Sequence, residues 1–214
     1  MQYELEKLNI KQVISYLSEK DPLLGAFLSE APEFNIRIDP LLDPYTALIE
    51  SIISQQITGK AAKTIYNRLL AYFSSTEARL NPLDILRADE SELKSVGLSR
   101  PKCNAVKSLS EFYLDNKLPD ICTLLKMKNE DIISLLTQIK GIGRWTVEML
   151  LIFRLGRQDI MPATDHGIKK GFTALYKDKK ATPRTIAAYA EDFYKPYKTV
   201  ASWYLWRLSE TIKT

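Results

Sequence analysis

Two segments of the chain combine residue types at spacings that could do chemistry. The first is Lys140-Gly141-Ile142-Gly143-Arg144, which interrupts an apolar run of Ile132, Ile133, Leu135, Leu136 and Ile139 and is followed at once by a second run from Arg144-Trp145. Two glycines separated by one apolar residue permit unusual backbone angles and let a phosphate come close, while free N–H groups at the start of the second helix point at it. A plain helical hairpin with a glycine cap would carry the same glycines. The flanking cations Lys140 and Arg144 shift the reading toward phosphate. The second segment is Pro162-Ala163-Thr164-Asp165-His166. Asp165 falls at the expected start of a helix, where the macrodipole alone would favour a carboxylate. With a phosphate-holding turn upstream it becomes the candidate catalytic group, and His166, the single histidine, reads as a polar residue of the helix's first turn.

The elements that must position these residues are helical. Asp43-Pro44 reads as an N-cap followed by proline in the first turn, and Tyr45, Leu48, Ile49, Ile52 and Ile53 then repeat at helical spacing. Thr58 caps a second helix carrying Ala62, Ile65, Tyr66, Leu69, Leu70 and Phe73. Further starts are expected at Asn81-Pro82, at Asp89 with Glu92 as a capping box, at Ser99, at Asn129 and at Thr182-Pro183, with stops at Gly97 and Gly156. Only Phe34, Ile36 and Ile38 alternate like a strand, and one strand makes no sheet. The fold class is therefore all-α. A turn-rich stretch over 31–43 and the MPATD stretch suggest two lobes, residues 1–43 with 166–214 and residues 44–165.

Composition sets the remaining bounds. The 214 residues are 45% apolar with a net charge of +4, an ordinary globular balance. Residues 1–43 hold 4 Lys/Arg against 8 Asp/Glu, whereas residues 140–180 hold 9 against 4. Basic character thus gathers around the two candidate segments. Two cysteines, Cys103 and Cys122, make no metal cluster by themselves and read as reduced thiols. The N-terminal MQYELEKLNI is charged without an apolar core and no later run approaches a membrane span, so a cytoplasmic location is expected, nucleoid-associated in a bacterium.

KGIGRWT followed by PATDHGIKKGF resembles the helix-hairpin-helix and Gly-Pro-Asp signature of the HhH-GPD DNA glycosylase superfamily. IISQQITGKAA at 52–62 is similar to the segment that fills the hole left by an extruded base, and YKPYKTVASWYLW resembles the last helix of the 3-methyladenine DNA glycosylase II branch. The resemblance implies a two-lobed helical fold with the active-site cleft between the lobes. It implies that Asp165 faces the sugar of a flipped nucleotide, that Trp145 and Trp206 border the base pocket with Met149 nearby, and that Lys140, Gly141, Ile142, Gly143 and Arg144 hold the DNA backbone. Trp203, one turn from Trp206, is the competing assignment. Gln55, Gln56, Ile57 and Thr58 form the inserting loop, with Gln56, or else Ile57, as the wedge. Trp145 occupies the place where backbone-cutting branches carry a Schiff-base lysine, so monofunctional hydrolysis is expected.

The same resemblance implies no organic cofactor and no metal held by side chains, with a monovalent cation on the carbonyls of Thr137, Ile139 and Gly141 as an expectation. The iron-sulfur subgroup needs four cysteines after the catalytic segment, and none follows Cys122. The N-terminal β-rich domain of some relatives has no room, which implies the compact form. The expected partner is duplex DNA carrying damaged bases, bound by a monomer. The expected substrates are alkylated purines, chiefly 3-methyladenine and 7-methylguanine. Two rivals are a glycosylase for a neutral lesion such as uracil, hypoxanthine or an oxidised purine, and a helix-hairpin-helix module that holds DNA without catalysis.

Overall fold

The computed structural model describes residues 3–39, 43–73 and 80–212, and every regular element among them is helical. After a short 3-10 turn at Leu5–Lys7 come α1 (Ile10–Lys20), α2 (Pro22–Leu28), α3 (Pro44–Ser54), α4 (Gly59–Tyr72), α5 (Pro82–Arg87), α6 (Glu90–Ser95) and α7 (Arg100–Leu114). They are followed by α8 (Ile121–Lys126), α9 (Asn129–Leu136), α10 (Arg144–Phe153), α11 (His166–Tyr176), α12 (Pro183–Phe193) and α13 (Lys198–Thr211). Residues 40–42 of the turn-rich stretch lie outside the described residues.

Side chains at the helix ends explain the boundaries. Asp43 accepts from the Tyr45 and Thr46 N–H groups ahead of α3, and Thr58 accepts from Ala61 ahead of α4. Capping boxes open α6, through Asp89 and Glu92, and α12, through Thr182 and Thr185. Each satisfies donors that a helix start leaves without partners. Gly97 and Gly156 hold φ of +108° and +55°, angles that glycine adopts without a Cβ penalty. The alternation of Phe34, Ile36 and Ile38 has another origin. These residues are irregular and pack on the core beside them, Phe34 edge-on to Trp203 with centroids 5.4 Å apart. Every second side chain is half-buried without a partner strand.

The chain divides into two compact units, residues 1–38 with 151–214 and residues 39–150. Residues 151–165, which the sequence suggested for the central lobe, stand in the terminal unit. The reason is a set of bonds to the chain ends. Leu5 N–H donates to Gly156 O at 3.0 Å, Arg157 pairs with Glu4 at 2.9 Å, and the Thr199 hydroxyl bonds Arg157 O and the Ile160 N–H at 2.7 and 3.0 Å.

Leu17, Leu24, Ile168, Phe172, Tyr194, Val200, Tyr204 and Leu205 build the core of the terminal unit. There α11 meets α13 at main-chain distance: a Cβ on Gly171 would stand 2.1 Å from Leu205 O, and one on Gly167 would stand 2.8 Å from Trp206 Cδ1. Glycines four residues apart share one helix face. In the central unit, Leu48, Ile49, Ile52, Ile85, Leu93, Val106, Leu109, Ile132, Leu136 and Val147 are buried. Its long helix α7 packs against α3, α5 and α6.

Candidate active site

Asp165 is the N-cap of α11, and its Oδ1 accepts two hydrogen bonds, from the Ile168 N–H at 3.0 Å and from the Trp206 indole N–H at 2.8 Å. The first bond is the structural role a carboxylate has at a helix start. The second is not required by the helix. It brings a tryptophan of α13 onto the half-buried aspartate, and that tryptophan stacks on Phe153 with ring centroids 5.9 Å apart and planes inclined by 26°. Trp203 serves the core instead: it is 8% exposed and packs against Phe34 and Tyr204, with the Arg207 guanidinium 5.4 Å over its ring. The structure therefore brings Asp165 together with Trp206 rather than Trp203. His166 is exposed at the first position of α11.

The hairpin lies between α9 and α10. Ile139 and Ile142 anchor it, 2% and 4% exposed, and the Ile142 N–H donates to Ile139 O at 3.0 Å. Gly141 has φ +89°, and a Cβ there would fall 2.5 Å from Ala105 Cβ on α7. Gly143 differs. It does not take up a left-handed angle, and an added Cβ would meet nothing within 4 Å. Only the first glycine is required by the turn itself.

Lys140 and Arg144, which flank the turn in sequence, have different surroundings. Lys140 is exposed. The Arg144 guanidinium makes a bidentate pair with Glu130, at 2.6 and 3.0 Å, and its Nε donates to the buried Glu148 at 3.0 Å. The Glu130 hydrogen bonds move its pKa further above the ordinary arginine value, with burial acting against them. Arg144 thus ties the start of α9 to α10.

The loop after α3 is held more firmly than its polar sequence suggested. Gln55 Nε2 donates to Gly141 O at 3.2 Å and to the buried Thr146 Oγ1 at 3.0 Å, joining the loop to the hairpin. Lys102, in the first turn of α7, donates to Ile53 O at 2.6 Å and Gln55 O at 2.9 Å, covering the last carbonyls of α3. Burial pulls its pKa below the ordinary lysine value. Beyond these anchors, Gln56 sits at φ +58° with its side chain exposed, Ile57 is 38% exposed, and Thr58 caps α4. One helix, α7, supplies both Lys102 under the loop and Ala105 under Gly141.

Trp145 and Met149, both half-buried, stand four residues apart on α10 in the central unit, on one helix face. Asp165 and Trp206 belong to the terminal unit. Among the described residues, no three His, Cys, Asp or Glu side chains gather as a metal site, and no helix is long and apolar enough to cross a membrane. Cys103 is buried and Cys122 exposed, both as free thiols. Of the carbonyls considered for a monovalent cation, Ile139 O already accepts from the Ile142 N–H and Gly141 O from Gln55. Each carbonyl oxygen has a second lone pair and so can still accept a cation.

Comparison with known proteins identifies the family. A family model described as HhH-GPD superfamily base excision DNA repair protein matches residues 49–196. DNA-3-methyladenine glycosylase 1 of Schizosaccharomyces pombe is 38% identical over 168 residues, 78% of this chain and 73% of that protein. The alkylbase DNA glycosidase-like protein mag2 of the same yeast is 31% identical over 201 residues, 92% and 93% of the two chains. A solved structure of an S. pombe 3-methyladenine DNA glycosylase in complex with abasic DNA superimposes with a TM-score of 0.80 at 35% identity, covering 93% of this chain and 97% of that one. The chain belongs to the HhH-GPD superfamily of base excision DNA repair proteins.

Proposed function

We propose that this protein is a monofunctional DNA glycosylase that releases alkylated purines, chiefly 3-methyladenine and 7-methylguanine, by hydrolysing the N-glycosidic bond in duplex DNA, acting as a monomer. The observation that carries the reading is the Asp165 carboxylate, held on Oδ1 by the α11 backbone and the Trp206 indole. Breaking a glycosidic bond puts positive charge on the sugar, as in other oxocarbenium-like transition states. A carboxylate fixed in advance stabilises that charge without reorganising. Alkylation at a ring nitrogen already makes the base a good leaving group, so a general acid is not needed. An indole face such as that of Trp206, bonded to Asp165, favours a cationic ring by roughly 0.5–2 kcal/mol.

In this reading the exposed Gln56 enters the stack while the nucleotide rotates out, at a cost of a few kcal/mol that a poorly paired base reduces. Phosphates approach over Gly143, where no internal contact calls for glycine, and beside the outward Lys140. Thr137, Ile139 and Gly141 would hold a monovalent ion through their carbonyls, adding positive charge at the DNA backbone. Single-turnover release of 7-methylguanine, hypoxanthine, 8-oxoguanine and uracil from one duplex context tests the substrate class. Alkylpurine should leave fastest, and a clear preference for uracil or 8-oxoguanine overturns the assignment. Because Trp145 stands where a Schiff-base lysine would act, borohydride should trap no adduct during turnover.

A further inference from the structure

Past Asp165, α11 presents His166, Lys169, Lys170 and Thr173 at helical spacing on one face. With Lys179 from the following loop and Ile212 at the end of α13, they line an open cavity of about 520 Å³ in the terminal unit. The opposite face of α11 is spent on the core through Ile168, Gly171 and Phe172. Three lysines and an imidazole therefore converge on one concavity, and among the described residues no carboxylate lines it. Among the described residues, Lys169, Lys170 and Lys179 enter no ion pair. The one contact made by their ammonium groups is that of Lys170 Nζ with Ile212 O at 2.9 Å. Elsewhere the chain pairs its cations readily, as Arg144 does with two glutamates and Lys198 with Glu191 and Asp159.

Like charges gathered in a concave site raise the local potential and attract an anion. The position of the cavity selects which anion. Lys169 and Thr173 follow Asp165 by about one and two helical turns, on the order of 6–12 Å along the axis. A strand whose sugar meets Asp165 need run only one or two nucleotides to bring its own phosphates there.

We propose that this groove is a second DNA-backbone site, which takes phosphates of the lesion-bearing strand close to the flipped nucleotide and is separate from the hairpin. The proposal rests on the glycosylase reading for its orientation. Lys169 and Lys179 supply point charges to the phosphates, whereas Lys170 also covers the end of α13.

The test is the affinity of the Lys169→Ala/Lys179→Ala double variant for a duplex with an abasic-site analogue, measured across salt concentrations. Losing two phosphate contacts should lower the magnitude of the log–log salt slope by about 2. Methylphosphonate replacement should then locate the contact: a position in the lesion strand that weakens wild-type binding should have no further effect in the variant. An unchanged salt slope, or a methylphosphonate pattern identical in both proteins, removes the groove from the DNA interface. The two readings fail separately. A chain that released no alkylpurine yet showed the reduced salt slope in the double variant would keep the groove and lose the glycosylase assignment.

Discussion

Trp206 donates its indole N–H to Oδ1 of Asp165 over 2.8 Å, so a residue expected only to border the base is bonded to the group expected to act on the sugar. The same oxygen accepts the Ile168 N–H of the helix it caps. Asp165→Asn keeps an oxygen able to accept both bonds and removes the charge. Base release should fall by at least about 10²–10³-fold, the scale of losing one electrostatic stabiliser. Binding to an abasic-site duplex and the melting temperature should change little. Single-turnover kinetics beside a thermal melt check this, and near wild-type release would remove Asp165 from the chemistry.

Trp206→Phe separates the ring from its N–H. The stack on Phe153 can persist while the bond to Asp165 is lost, at a stability cost of about 1 kcal/mol. Base release should slow by more than that loss of folding stability explains, because the carboxylate is less well fixed. Equal rates for phenylalanine and tryptophan would show that the bond only supports the fold.

The two hairpin glycines should respond in opposite ways. Gly141→Ala meets both φ +89° and Ala105, so a loss of roughly 2–4 kcal/mol in a denaturant titration is expected. Gly143→Ala meets nothing within 4 Å and should leave stability intact. It should weaken DNA binding nevertheless, since the added methyl occupies the path of a phosphate. Fluorescence anisotropy with the abasic duplex measures this, and an unaltered affinity would end the case for phosphate approach at Gly143.

Lys102→Met should leave two carbonyls of the α3 end without their donor and lower stability by roughly 1–3 kcal/mol. It should also loosen the Gln55–Gln56 loop. The fall in kcat/KM should then be larger for a fully paired lesion than for the same lesion opposite an abasic gap, where flipping is already easy. Lys102→Arg, which keeps a donor in reach, should recover part of the difference. Equal losses on both duplexes would make Lys102 a purely structural residue.

The helices were legible because their signals are local. Asp43, Thr58, Asp89 and Thr182 sit beside the N–H groups they satisfy, and Gly97 and Gly156 mark stops through their own φ. Asp165 was also legible, as a helix-start carboxylate downstream of a hairpin. What escaped depends on long-range packing. Ala105 beneath Gly141, Glu130 and Glu148 around Arg144, and the commitment of Gln55 to the hairpin are partners distant in the chain or set by side-chain geometry. Charge spacing near Arg144 could suggest a phosphate, and only the folded glutamates show how the guanidinium is engaged. Lys102 left one readable trace. A cation in the first turn of α7 opposes the helix dipole, which is a reason to look for carbonyls facing it.

The contact of Gly171 with the α13 backbone, and of Gly167 with the Trp206 side chain, bears on how this enzyme family can diversify. With Leu205 O lying where a side chain on residue 171 would begin, the span from carboxylate to indole is dictated by two main chains and is insulated from drift in the surrounding apolar residues. In the proposed reading, new lesion spectra should therefore evolve at Trp145 and Met149, the base-pocket candidates on α10. In a selection for altered specificity, accepted changes should accumulate there, while positions 167 and 171 stay closed to anything larger than glycine.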